Sequence, residues 1–177
     1  ILADSALDNL AAQGKVEAGS RVDLARSMIG MSVRKGTPKP DISTVDALRQ
    51  TLLDAKSVAY SASASGTYLA NELFPRLGVA EQMKGKATRI LSERVGAVVL
   101  RGDADIGFQQ VSELLPFKEL EFVGPLPDEV QQRVFFSAGV ATGAKSPDTA
   151  RHLIRFLAAP AAAPIVRSTG MEPAAKP

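Results

Sequence analysis

Cysteine and tryptophan are absent from the 177-residue sequence, and histidine occurs once, as His152. Without cysteine the chain forms no disulfide framework, no thiolate zinc site and no thiol nucleophile. Aromatic residues make up only 5% of the chain, which argues against an aromatic cage or a platform on which nucleic-acid bases stack. The single His152 excludes any site within this chain that requires two histidines.

The sequence also lacks a strong excess of positive or negative charge and any long apolar run. The 21 basic residues nearly balance the 19 acidic ones, for a net charge of +2, so no nucleic-acid partner is predicted. No apolar run approaches the roughly 18 residues that a membrane-spanning helix needs. Hydrophobic residues make up 45% and charged residues 23%, a composition typical of a globular domain or of two small lobes that share one chain.

No pattern of reactive residues stands out either. The acidic residues are scattered, and neither a carboxylate pair, a metal-ligand cluster nor a nucleophile next to a base appears at a recognisable spacing. The sequence therefore predicts no catalytic residue, no metal and no cofactor. Composition alone leaves a Ser–Lys or carboxylate mechanism open.

What is present is an alternation of strand and helix patterns. Strands are predicted at 26–34, 57–60, 88–91, 105–109, 121–123 and 133–140. Helices are predicted from a cap at Asp4 or Ser5 through Gln13, after 43–46, at 67–77, from Ser92 or Glu93 to Gly102, and after Ser146-Pro147. A weak helical turn is predicted at 112–115. Alternation at these lengths is typical of an α/β fold with a largely parallel sheet.

Two of these helices carry explicit cap and core predictions. Ser43 and Asp46 have the spacing of a capping box ahead of an apolar stripe of Val45, Leu48 and Leu52. Ser146 and Pro147 suit the N-cap and first turn of a later helix. For that later helix, the predicted buried stripe is Leu153, Phe156 and Leu157.

The opening residues resemble the end of a buried strand. The segment Ile1-Leu2-Ala3-Asp4 lacks the basic and apolar regions of a signal peptide. Because proteins rarely begin inside a strand, we expect further residues to precede Ile1, and the remaining neighbours of that strand to expose apolar surface.

The serine run between a strand and a helix is the leading candidate for a binding site. A strand ending at Tyr60 is followed by a small polar loop at 61–66 and a helix that is predicted to begin near Thr67. Free backbone N–H groups at a helix start favour an anion, and Ser63, Ser65, Gly66 and Thr67 would surround it. The spacing alone also fits helix capping and a tight turn, which is the simpler interpretation.

Two further strand–loop–helix junctions carry polar residues. Arg94 could bind an anion in a bidentate manner, or be a solvated or salt-bridged arginine. Gln109 and Gln110 follow Phe108 at the end of a strand and could be ligand donors or part of a polar rim. In an open α/β sheet such junctions converge on the crevice beyond the carboxyl ends of the strands.

Short motifs along nearly the whole chain resemble one family. They are I-L-A-D at 1–4, S-A-S-A-S-G-T-Y at 61–68, E-R-V-G-A-V at 93–98, G-D-A-D-I-G-F-Q-Q at 102–110, V-G-P-L-P at 123–127 and F-L-A-A-P at 156–160. In order and spacing they are similar to the type II periplasmic solute-binding proteins, specifically the molybdate-binding components of ABC transporters and their relatives.

The resemblance implies a periplasmic-binding-protein-like type II α/β fold with two lobes and two crossovers. Residues 1–31 and 135–177 would be the remnant of an incomplete first lobe, and residues 32–134 would form the second. The ligand shell would include Ser65, Arg94 and Gln110, the last at a position where molybdate binders carry a tyrosine. A larger or carboxylated solute is therefore an alternative to molybdate.

The implied function is capture of a molybdate-like oxyanion or small organic anion between the lobes, without bond chemistry, and its delivery to an ABC permease. The expected location is periplasmic, with a signal peptide lost ahead of Ile1. A second copy of the chain could cover the incomplete lobe as a crystal or swapped dimer. One alternative is the ligand-sensing effector domain of a LysR-type transcriptional regulator. Another is an enzyme built on the same lobes, against which the lack of acid–base groups argues.

Overall fold

The structure is a computed structural model that describes residues 1–174. Within them, the strands are β1 (Leu2–Ala3), β2 (Val22–Arg34), β3 (Val58–Ser61), β4 (Ala87–Ile90), β5 (Ile106–Gln110), β6 (Leu120–Pro125), β7 (Arg133–Ala138) and β8 (Glu172–Pro173). The α-helices are α1 (Asp4–Ala12), α2 (Val45–Asp54), α3 (Ala64–Tyr68), α4 (Phe74–Arg76), α5 (Ala80–Lys84), α6 (Val95–Arg101), α7 (Val111–Leu114), α8 (Pro147–Ala158) and α9 (Ala163–Ser168). A π-helical segment, Leu69–Leu73, joins α3 to α4, and short 3-10 turns span Asp128–Val130 and Pro160–Ala162.

The chain divides into two compact units. Unit 1 contains Ile1–Ser27 and the chain from Arg133 onward, and unit 2 contains Met28–Gln132. The first division falls ahead of the predicted boundary at 31/32, because β2 pairs with β5 from Ile29 onward and those residues belong to unit 2. The second division falls two residues before the predicted 134/135.

Unit 2 is built on a mixed sheet. Strand β3 pairs in parallel with both β4 and β5, whereas β2 pairs antiparallel with β5 and β6. The prediction of a largely parallel sheet is thus right for β3, β4 and β5 and wrong for β2 and β6. Strand–helix alternation does not reveal which strands become neighbours, so the direction of these pairs was not encoded in the pattern.

The core of unit 2 lies between this sheet and the helices. In α2, Leu48 and Leu52 are fully buried, as the helical spacing predicted. The predicted cap is displaced by one residue: the side chain of Thr44, not Ser43, accepts the N–H of Ala47 at 3.1 Å. Phe108 of β5 packs in the same apolar cluster.

Unit 1 pairs β1 with β7 and β2 with β8, both antiparallel. Helix α1 begins at Asp4 with Ala3 as its N-cap, at least one residue ahead of the predicted cap, and Gly14 follows the helix with φ +69°. A small apolar cluster holds Ala138, Val140 and Ile154. Leu7, Val16, Ala25 and Val134 are further buried apolar residues of unit 1.

The predicted buried stripe of α8 is wrong. Ile154 is the buried residue of this helix, Leu153 and Phe156 are 55% and 71% exposed, and Leu157 is only partly buried. Of the eight exposed large hydrophobic side chains among the described residues, six lie in unit 1: Ile1, Leu2, Val22, Leu153, Phe156 and Ile165. Periodicity identifies the apolar face of a helix, but burial depends on what packs against it.

Candidate functional site

Three serine hydroxyls meet where β3 ends in unit 2. The Oγ of Ser61 lies 2.7 Å from that of Ser63 and 2.9 Å from that of Ser65, and the latter two are 3.2 Å apart. Ser65 is fully buried and Ser61 is 5% exposed, whereas Ser63 is at the surface. We call these three residues the serine triad.

The helix after β3 begins three residues earlier than predicted. Its first residue is Ala64, with Ser63 as N-cap, so the predicted loop at 61–66 shortens to Ala62 and Ser63. The first helical bond runs from the N–H of Thr67 to the carbonyl of Ser63 at 3.0 Å. Small residues suit both a turn and a helix start, and the sequence did not distinguish the two.

Gly66 makes this tight junction possible. A Cβ atom at that position would lie 1.6 Å from the carbonyl oxygen of Ser61 and 2.7 Å from its carbonyl carbon. Only a residue without a side chain lets the helix approach the strand end so closely. Gly66 therefore shapes the site through its backbone.

Ser61 was missed as a site residue from the sequence. It was assigned to the predicted loop at 61–66, and nothing in its sequence position showed that its hydroxyl would meet those of Ser63 and Ser65; in the structure it is the last residue of β3. Thr67 was predicted to belong to the site but is exposed, and no described residue bonds its hydroxyl. The structure thus joins the hydroxyls of Ser63 and Ser65 to that of Ser61, whereas Thr67 meets Ser63 only through the backbone.

The end of β5 lies at the same sheet edge as the serine triad. Tyr60 of β3 pairs in parallel register with Phe108 of β5, so the residues that follow each of them emerge at one edge. Gln109 is 5% exposed, and its Oε1 accepts the backbone N–H of Val95 at 2.9 Å. One of the two predicted glutamines is therefore anchored to the start of α6.

Arg94 is the N-cap of α6 and is exposed. The helix begins at Val95, not at Ser92 or Glu93 as predicted, and ends at Gly102 with φ +90° as expected. The Glu93 carboxylate accepts two bonds from the Arg101 guanidinium, at 2.8 and 3.0 Å. These bonds hold the pKa of Glu93 below its ordinary value and leave the Arg94 guanidinium as the exposed cation of this loop.

Close packing fixes α6 against its neighbours. A Cβ on Gly107 of β5 would lie 2.5 Å from Val99 and 2.7 Å from Val95, and a Cβ on Gly96 would lie 2.5 Å from the Phe117 ring. Interiors at this density transmit displacement rather than absorb it. The position of Arg94 therefore depends on the contact of α6 with β5.

Gln110 differs from Gln109 in its bonding. Gln110 ends β5, is 4% exposed, and its buried Oε1 has no hydrogen-bond partner. Glu113, in the single turn of α7, likewise has a buried and unbonded Oε2. Among the described residues, the other buried side-chain atoms without a partner belong to Ser27, Ser32 and Gln132. Most buried polar atoms in proteins are bonded, so each exception calls for an explanation.

Other features of the described residues do not suggest a competing centre. A cavity of about 840 Å³ in unit 2 is lined by Arg34, Asp54 and Asp105, among others. It lies where β5 begins, at the opposite end of that strand from Gln110. Residues 1–174 contain no group of acidic or histidine side chains arranged for a metal ion, and none of their helices has the length and apolar character to cross a bilayer.

Comparison with known proteins identifies a family and a similar sequence. The sequence model of the family described as bacterial extracellular solute-binding protein matches residues 1–172. The aconitate isomerase of Pseudomonas sp is 47% identical over 173 residues, which are 98% of this chain and 66% of that protein. The chain thus covers about two thirds of the length of this relative.

Solved structures show a shared fold at low identity. The periplasmic molybdate-binding protein of Azotobacter vinelandii superposes with a TM-score of 0.74 at 18% identity, over 98% of this chain and 75% of that one. The protein PEB3 with bound L-phospholactate superposes with a TM-score of 0.70 at 13% identity, over 95% and 75%. The predicted α/β fold of the type II periplasmic-binding-protein class is confirmed.

Proposed function

Because this chain belongs to the family of bacterial extracellular solute-binding proteins, we propose that it captures a small organic anion or oxyanion where β3 and β5 end in unit 2. The observation that carries this proposal is the serine triad, whose hydroxyls bond one another and no other described residue. A hydroxyl rotates freely, so an anion would redirect these donors at little structural cost.

The other groups around the serine triad favour a negatively charged ligand. Arg94 is an exposed guanidinium at the start of α6, and such a group binds carboxylates or phosphates through two parallel bonds. The first amides of α3 precede its first internal bond and have no partner within the helix. No negative charge is carried by the predicted site residues Ser63, Ser65, Arg94 and Gln110.

An organic anion fits these residues better than molybdate. The resemblance to molybdate binders breaks at Gln110, where those proteins carry a tyrosine. The 47% identical relative carries the name of an enzyme of aconitate, a tricarboxylate. Both observations favour a carboxylated solute.

From the family we also propose that the whole protein is periplasmic and delivers its solute to an ABC permease. In this mechanism the protein closes on its solute and releases it to the permease without making or breaking a bond. Family membership favours this function over the effector domain of a LysR-type regulator, which shares the lobe plan.

Binding is tested by calorimetry on the purified protein with molybdate, sulfate, succinate, malate, citrate and aconitate. We expect a carboxylate to bind, and Ser61→Ala and Ser65→Ala each to weaken it about tenfold, as loss of one hydrogen bond to a charged group predicts. The matched control is Ser43→Ala, since Ser43 is exposed and outside the triad. Binding of cations alone, or equal affinity in all three variants, contradicts the proposal.

The name of the 47% identical relative favours a second candidate function, isomerisation of an unsaturated tricarboxylate. Moving a double bond between adjacent carbon positions requires a base that removes an allylic proton and a return of that proton to the other end of the allylic system. The atoms and charges balance, and no cofactor is consumed. Glu113, with its buried and unbonded Oε2, is the carboxylate that we would assign to this proton transfer.

Incubation with cis-aconitate, followed by proton NMR in D2O, tests this second function. The expected result is formation of the trans isomer with exchange of the transferred proton. Glu113→Gln should abolish turnover while solute binding persists, and the exposed Glu119→Gln should change neither. Binding without turnover in the native protein would leave transport as the function.

A further inference from the structure

Two consecutive glutamines end β5, and their side chains are in opposite bonding states. The Oε1 of Gln109 accepts the N–H of Val95, whereas the Oε1 of Gln110 is buried with no partner. Both residues are at least nine-tenths buried. The difference therefore does not come from exposure to water.

The backbone groups of the residue paired with Gln110 are already hydrogen-bonded. Its cross-strand partner is Ile29 of β2. The N–H of Ile29 donates to the side-chain oxygen of Gln131 at 2.8 Å, and the carbonyl of Ile29 accepts from the Gln131 amide at 2.9 Å. No described residue donates a hydrogen bond to Oε1 of Gln110.

We propose that the solute itself donates a hydrogen bond to Oε1 of Gln110, which makes Gln110 the residue that selects the class of ligand. This inference rests on the proposed binding function. A carbonyl oxygen can only accept, so its partner must carry a proton. The ligand is then an organic acid with a hydroxyl group, or with a carboxyl group that keeps its proton when bound.

The same requirement disfavours ligands that consist only of acceptors. Molybdate, sulfate and fully ionised dicarboxylates offer no proton, and they would leave the Gln110 oxygen unpaired and desolvated. A site that holds a buried polar group rejects the analogue that lacks its partner more strongly than it rejects a small change in size. Glu113, three residues further along the chain, also has a buried Oε2 without a partner.

Matched ligand pairs test the inference on the native protein. Malate and succinate differ by one hydroxyl, as do citrate and propane-1,2,3-tricarboxylate. We expect the hydroxylated member of at least one pair to bind about tenfold more tightly, the usual effect of one hydrogen bond to an otherwise unpaired group. If the donor is instead a retained carboxyl proton, both members bind alike and each takes up a proton, measured as a dependence of the binding heat on buffer ionisation enthalpy.

A variant assigns the selectivity to Gln110. Gln110→Met keeps the length of the side chain and removes the acceptor, so the preference, or the proton uptake, should disappear. The control Gln82→Met changes an exposed glutamine of α5 and should leave both unchanged. A preference that survives in Gln110→Met would overturn the assignment.

The outcomes separate this inference from the function on which it rests. If no carboxylate or oxyanion binds, the proposed function is wrong. If anions bind but neither a hydroxyl preference nor proton uptake is seen in the native protein, the function stands and the role of Gln110 is wrong. The role of Gln110 is tested on the native protein alone, so the test is valid even if Gln110→Met does not fold.

Discussion

Gln109 accepts the backbone N–H of Val95 through its side-chain oxygen at 2.9 Å, and this bond joins the end of β5 to the start of α6. Val95 is fully buried, so no water can replace the glutamine oxygen. The bond holds the first turn of α6, with Arg94 at its N-cap, against the strand. A residue expected to contact a ligand thus has a structural partner within the protein.

The two adjacent glutamines should respond oppositely to the same substitution. Gln109→Met leaves the Val95 N–H buried and unpaired and should lower the free energy of unfolding by about 1–3 kcal/mol. Gln110→Met removes an oxygen that has no partner and should leave that free energy unchanged or raised. Urea denaturation of both variants and of Gln82→Met measures the difference, and equal losses at 109 and 110 would show that the bonding states are misassigned.

The junction between β3 and α3 should tolerate no side chain at Gly66. Alanine there would place Cβ 1.6 Å from the Ser61 carbonyl oxygen, and the forced backbone shift should cost about 1–3 kcal/mol or more. Gly85→Ala is the control, because a Cβ there meets nothing within 4 Å and φ is −89°. Thermal unfolding should show a large loss for the first variant and little change or a small gain for the second.

Tyr68 should make stability depend on alkaline pH. Its hydroxyl donates to the carbonyl of Val130 at 2.9 Å, and burial raises the pKa of the phenol above its ordinary value of 10.0. The raised pKa means that the neutral form is favoured by folding, so this contribution is present below pH 10.0 and is lost as pH rises through the raised pKa. Tyr68→Phe should be less stable near neutrality by about 1 kcal/mol.

The pH profile of Tyr68→Phe provides the check. The difference in unfolding free energy between native protein and variant should narrow above pH 10.0. A difference that stays constant from pH 8 to pH 11 would contradict a role for the phenol proton. The experiment uses urea at fixed ionic strength, so that general charge repulsion acts on both proteins alike.

Asp23 should make unit 1 sensitive to acid. The hydroxyl of Ser137 donates to its carboxylate at 2.6 Å, and this bond, followed by that of Arg21, holds the pKa of Asp23 below its ordinary value of 3.8. The stabilisation is present above pH 3.8 and is lost as pH falls through the lowered pKa. Ser137→Ala should raise the pKa of Asp23, as seen by NMR titration of its carboxyl carbon, and Ser5→Ala should not.

Much of the architecture could be predicted from local pattern. Leu48 and Leu52 were expected in the core from helical spacing, and both are fully buried. Gly102 was expected to end a helix and does so with φ +90°. These features depend on a few neighbouring residues, so the sequence carries them directly.

Two of the points that failed depend on neighbours distant in the chain, and a third depends on the geometry of a turn. Phe156 belongs to an apolar stripe, but the described residues leave it 71% exposed. Strands β2 and β6 run antiparallel to their neighbours, and the alternation of strands and helices along the chain does not reveal that direction. Ser61 entered the site only because the turn after β3 folds its hydroxyl onto those of Ser63 and Ser65.

By itself, the sequence determined most of the strands and helices, though not α5 or β8, and the absence of thiol chemistry. It also predicted a set of polar residues at strand ends. Tertiary structure decided which of these residues are hydrogen-bonded within the protein. Gln109 and Gln110 are identical and adjacent, yet one is bonded to Val95 and the other has an unpaired oxygen. The physical reason is that alternate residues of a strand face opposite sides of the sheet, and only the packing of α6 against one side supplies a donor.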